Sequence, residues 1–138
     1  IYLFFRKNRE GIFDDSPKKY GAKKIENVEA NSLLKELDKV MSEKKLYKNE
    51  NIKLKDIATE LGISSHKLSQ LLNDNLGKRF ALYINELRVE ETKRLLLENN
   101  QYTLEAIGLE SGFSSKSAFY NAFKKLSGKT PSEFKNNL

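Results

Sequence analysis

"LEAIGLESGFSSKSAFYNAFKKLSGK", residues 104–129, is an apolar stripe at helical spacing broken once by a Gly-Phe-Ser turn. Fifty residues upstream, "LKDIATELGISSHKLSQLLNDNLGK", residues 54–78, has the same design. Leu54, Ile57, Gly62, Ser64 and Ser65 match Leu104, Ile107, Gly112, Ser114 and Ser115 at an offset of 50. Leu68, Leu72, Gly77 and Lys78 match Phe119, Phe123, Gly128 and Lys129 at an offset of 51, which implies one residue inserted after the paired serines. In each copy a short helix meets a glycine suited to the left-handed conformation past a helix end, and a serine able to cap a second helix follows. The chain therefore repeats a helix-turn-helix unit, and a repeat is far more specific than either copy alone.

The surroundings of the two copies are also helical. Leu33, Leu37, Val40 and Met41 mark an amphipathic helix expected to begin at Asn31 or Ser32 and to fade near Lys45–Asn49. Between the copies, residues 80–99 run without Gly or Pro as one helix, roughly 28 Å long at 1.5 Å per residue. Thr103 is placed to cap the next helix, and Thr130, Pro131 and Glu133 form a capping box that opens a last short one. The expected fold is all-α, with about seven helices in two helix-turn-helix subdomains joined by a long linker helix. The expected boundaries are a tail and linker at 1–30, a first subdomain at 31–78, the linker helix at 79–100 and a second subdomain at 101–138.

Composition narrows the function. The 138 residues include no cysteine and a single histidine, His66, so neither a disulfide framework nor a Cys or His metal pair is available. No glycine-rich phosphate loop or paired carboxylates suggest catalysis, and no cofactor is expected. Net charge is +6, and it is uneven: residues 1–24 carry +4, residues 25–77 carry −1 and residues 113–138 carry +4. A basic C-terminal piece attracts polyanions. The opening "IYLFFRKNRE" is an apolar run into a basic cluster, which reads equally as the cytoplasmic end of a membrane helix or as a disordered tail. It falls well short of the roughly 20 apolar residues of a spanning segment. A first residue other than Met suggests that something upstream is missing, and no secretory signal is expected.

A helix-turn-helix reads DNA through the outward face of its second helix, laid in the major groove. In the first copy that face carries His66, Lys67, Ser69, Gln70 and Asn73; in the second, Lys116, Ser117, Tyr120, Asn121 and Lys124. Asn and Gln pair with adenine, Lys with guanine acceptors, and Ser with several bases. Before Asp74 neither helix places a carboxylate on that face. Ser64, Ser65, Ser114 and Ser115 at the helix starts, with Lys67, Asn73, Lys78, Lys124 and Lys129, suit phosphate contacts. A rigid linker helix near 28 Å is the right size to hold two such units about one turn of DNA apart.

Residues 32–138 resemble the DNA-binding domain of the AraC/XylS family of bacterial transcription regulators. The likeness is strongest over "IGLESGFSSKSAFYNAFKKLSGKTPSEF", and "DIATELGISSHKLSQLL" and "YINELRVEETKRLL" are similar to the family's first unit and linker helix. The resemblance implies seven helices in two subdomains and sequence-specific binding to double-stranded promoter or operator DNA, usually with activation of transcription. It implies base reading by His66, Ser69 and Gln70, and by Lys116, Ser117, Tyr120 and Asn121. It also implies RNA polymerase and an upstream sensor as further partners, and a cytoplasmic location. The N-terminal run resembles members tethered to the inner membrane. Gly108 and Thr92 stand where the family usually has alanine, and Arg79 and Lys53 where it has small cap residues; these departures put local stability in question. The competing reading is a helical protein-interaction module that no longer binds DNA.

Overall fold

The computed structural model describes residues 27–98 and 101–138. The N-terminal apolar run, the basic cluster and most of the expected linker lie outside that range, as do residues 99 and 100. Seven α-helices and no strands occur among the described residues: α1 (Asn27–Lys44), α2 (Leu54–Leu61), α3 (Ser65–Leu71), α4 (Phe80–Leu97), α5 (Leu104–Glu110), α6 (Lys116–Ser127) and α7 (Pro131–Asn136). The all-α expectation holds. The chain forms two compact units. One runs up to Leu46 and from Lys53 to Tyr83; the other takes Tyr47–Ile52 and Ile84–Leu138.

In the first unit α1 starts four or five residues before the expected capping residues. The reason is its buried stripe, Ala30, Leu34, Leu37 and Met41, which reaches a full turn further upstream. Leu33 and Val40, expected in the core, are only half-buried. Lys45, at φ 48°, turns the chain out of α1. Lys53 gives α2 no side-chain cap, as its chemistry suggests, but the Asp56 carboxylate compensates by accepting from the Lys53 backbone N–H at 2.9 Å. After Leu71 the helix widens into a π turn over Leu72–Leu76, closed by Gly77 in the left-handed region. Three successive Asx residues, Asn73, Asp74 and Asn75, are weak helix formers and make that departure inexpensive.

The second unit is built around Val89, Leu95, Leu96, Ile107, Phe113, Phe119 and Phe123, with Phe134 from α7 packed against them. The rings of Phe119 and Phe123 meet edge to face, as do those of Phe123 and Phe134. Gly108 is part of this packing. A Cβ there would lie 2.5 Å from the Phe119 ring, so a glycine expected only to weaken α5 in fact admits a bulky aromatic. Thr92 is compensated too. Its buried hydroxyl sits 2.8 Å from that of Ser111, which donates to the Ile107 carbonyl. Gly112 meets the backbone of Tyr47–Ile52 so closely that a Cβ would come within 2.1 Å of the Tyr47 carbonyl oxygen. Arg88 holds that segment by donating to the Tyr47 and Asn49 carbonyls at 2.8 and 3.0 Å. Tyr47 also reaches the buried Glu91 carboxylate, which Arg94 and Lys48 neutralise at 2.7 and 3.2 Å.

Candidate nucleic-acid interface

Each reading helix begins at the same kind of turn. In the first unit Gly62 is left-handed, its N–H bonds the Thr59 carbonyl, and the Ile63 N–H bonds the Ala58 carbonyl at 3.0 Å. In the second, Gly112 and Phe113 bond the Leu109 and Gly108 carbonyls at 3.0 and 3.1 Å, fifty residues on. The caps then shift by one. Ser64 accepts from the Lys67 N–H, whereas the acceptor from the Ala118 N–H is Ser115, fifty-one residues on. The extra residue therefore lies within the turn, at Ser114, and not after the serine pair. The equivalences this sets are His66 with Ser117, Ser69 with Tyr120, and Gln70 with Asn121.

The α3 face is concave. His66, Ser69, Gln70, Asn73 and Asp74 line an open cleft of about 470 Å³, with His66 and Asn73 exposed and the others half-buried. The Asn73 side-chain nitrogen lies 3.4 Å from the Ser69 hydroxyl. The structure thus brings the three predicted base readers of this helix onto one surface and adds Asp74, which joins them as the helix widens.

On α6, Lys116, Ser117 and Asn121 are exposed, as predicted readers should be. Tyr120 is half-buried and stands edge-on to Phe119, at 5.3 Å between centroids, so its ring also belongs to the core. Ala118, beside the buried Phe119, is exposed, and Ala122 is half-buried. The Lys116 ammonium sits 5.6 Å from the Tyr120 ring centroid.

The predicted phosphate contacts divide by burial. Ser64, Ser114, Ser115, Asn73, Lys124 and Lys129 are exposed, and Ser65 is half-buried. A capping hydroxyl accepts from the backbone and keeps its own O–H to give to a phosphate oxygen. Lys78 is buried, with 7% of its surface exposed, which leaves it little to offer a phosphate.

Both faces also have acidic neighbours that helix-by-helix inspection of the sequence missed. Lys67 pairs with Glu29 of α1 at 3.1 Å, and Lys116 with Glu105 of α5 at 3.2 Å. A backbone N–H at the start of α5, then the Lys116 ammonium, hold the Glu105 carboxyl below the usual carboxylate range. Glu29 lay in a stretch read as linker, and no periodicity within one helix reveals a partner on another. Among the described residues no cluster of His, Cys, Asp and Glu could hold a metal ion, and no helix is long and apolar enough to cross a membrane.

A model of the helix-turn-helix domain family matches residues 57–137. The chain belongs to the AraC-type helix-turn-helix family. Membership makes this AraC-type chain a DNA-binding domain of a transcription regulator. It is 36% identical over 112 residues to the probable transcription factor PqrA of Proteus vulgaris, covering 81% of this chain and 86% of that protein. An uncharacterized HTH-type transcriptional regulator of Staphylococcus aureus (strain MSSA476) is 31% identical over 90 residues; the match spans 65% of the AraC-type chain and only 12% of the regulator. A solved structure of a transcriptional regulator with an AraC-type DNA-binding domain, from Chromobacterium violaceum, superposes with a TM-score of 0.67 at 28% identity, covering 80% of this chain and 95% of that one.

Proposed function

We propose that the domain binds promoter DNA sequence-specifically, with α3 and α6 as reading helices in successive major grooves. The observation that carries this is the turn and serine cap built twice, each starting a helix with an exposed polar face. His66, Ser69 and Gln70 read bases from α3; Lys116, Ser117 and Asn121 read them from α6, with Tyr120 contributing its hydroxyl edge. Ser64, Ser65, Ser114, Ser115, Lys67, Asn73, Lys124 and Lys129 contact phosphates and fix the register. The domain is a binding module without a catalytic step. It serves as the output end of a longer chain, a role supported by the short share of the staphylococcal regulator that it matches. In that setting an upstream sensor delivers the signal in the cytoplasm, with or without a membrane tether, and RNA polymerase is the machinery acted on in activation.

Selecting bound sites from random duplexes, then titrating Gln70→Ala and Asn121→Ala against base-substituted targets, tests the mechanism. Each change should abolish preference at one base pair, at a cost of about 1–3 kcal/mol for a lost bidentate contact. If both variants keep the full preference at every position, the helix assignment is wrong.

A further inference from the structure

The Lys116–Glu105 pair lies at the start of α6, where the face expected to read bases begins. Lys116 is held from two sides, by the Glu105 carboxylate at 3.2 Å and by the Tyr120 ring at 5.6 Å. Both charged side chains are largely open to solvent, so the pair adds little to folding. Its effect on an approaching duplex is another matter. Two kinds of acceptor compete for a lysine on such a face: phosphate oxygens, which are charged, and the guanine O6 and N7 atoms, which are neutral. A carboxylate 3.2 Å from the ammonium repels a phosphate that tries to share it, and leaves a neutral base edge nearly unaffected.

We propose that Glu105 is a specificity-determining positioning residue: it withholds Lys116 from backbone phosphates and leaves it available to a base edge. This rests on the reading role proposed above for α6. Glu105 touches no base in this arrangement. It acts through Lys116, by making non-specific attachment weaker than the helix's own charge would allow.

The test uses the whole chain and two duplexes, a selected target and a scrambled sequence of equal length. Glu105→Gln keeps the shape of the side chain and removes its charge. Affinity for the scrambled duplex should rise about two- to five-fold, the scale of one exposed ion pair. Affinity for the target should rise less, so the ratio of the two falls. In a Lys116→Met background the same Glu105→Gln change should shift that ratio by less than half as much. An equal gain on both duplexes, or an undiminished effect without Lys116, would overturn the proposal. A second arm needs no DNA: in the free protein, Lys116→Met should raise the titration midpoint of the Glu105 carboxyl seen by NMR, and an unmoved midpoint would mean that the pair does not form. Equal wild-type affinity for target and scramble would instead strike down base reading by α6 itself, and this proposal with it.

Discussion

Ala58 and Gly108 occupy the same place in the two copies, as do Leu68 and Phe119, and the copy with the smaller residue at the first place has the larger one at the second. Volume has been traded between positions fifty and fifty-one residues apart. On propensity alone Gly108→Ala should stabilise α5 by about 1 kcal/mol. The 2.5 Å approach to the buried Phe119 ring reverses that sign. Overpacking should cost about 1–3 kcal/mol, read as a lower urea midpoint with an unchanged slope. Adding Phe119→Leu recreates the pair found in the first copy and should recover part of the loss; a purely additive double variant would show that the two positions do not share space. Sequence reading placed Gly108 on the right element but could not supply this reason, because a glycine reports its neighbours only once they are located. Thr92 is similar, its hydroxyl accounted for only by Ser111 across the core.

At the scale of elements, features encoded within a few residues were the legible ones. Ser64, Thr103 and Thr130 cap where their chemistry says, and Gly62 and Gly128 end helices in the left-handed region. The capping box of α7 gives a prediction at this scale. Thr130 accepts from the Glu133 N–H at 3.1 Å, and the Glu133 carboxylate accepts from the Thr130 N–H at 2.9 Å. That backbone hydrogen bond, first among its causes, holds the Glu133 carboxyl below its ordinary value. A depressed carboxyl stabilises the fold at pH above its unfolded value, near 4.3, and the benefit disappears as pH falls through the lower folded value. Thr130→Ala should cost about 0.5–2 kcal/mol at neutral pH. For Glu133→Ala, which removes the titrating carboxyl, the gap to the wild-type melting temperature should narrow on acidification, and a gap constant from pH 7 to 3 would count against the box. Less legible were the start of α1, where no sequence pattern marked Ala30 as buried, and the π turn after Leu71. The first depends on packing, and the Asx run behind the second weakens a helix without specifying a π turn. The inserted residue could be counted from the sequence but was put on the wrong side of the cap, since adjacent serines look alike until one is seen accepting a hydrogen bond.

For the whole molecule, the charge distribution and the repeat together led from sequence to DNA, and family membership agrees. The outward faces were legible because periodicity within one helix defines them. The acidic residues beside them were not, because Glu29 and Glu105 arrive from other helices. Binding by such a surface releases counterions and should fall steeply with salt. Lys129→Ala should weaken target and scrambled duplexes alike and lower the slope of log affinity against log salt by about 1. Asn121→Ala should leave the slope unchanged while losing preference at one base pair. A Lys129 variant with the wild-type slope would remove it from the phosphate set.

Tyr47–Ile52 sits in sequence between two helices of the first unit yet belongs to the second, held there by Arg88 and by the absence of a side chain at Gly112. Nothing in the periodicity marks it for that destination. It means the duplicated sequence is not a duplicated cassette. A fragment cut to begin at α4 would leave Arg88 without its two carbonyl acceptors and Glu91 without Tyr47 and Lys48. Domain-swap chimaeras between relatives would therefore need to carry this hexapeptide along with the downstream half, as one discontinuous inheritance.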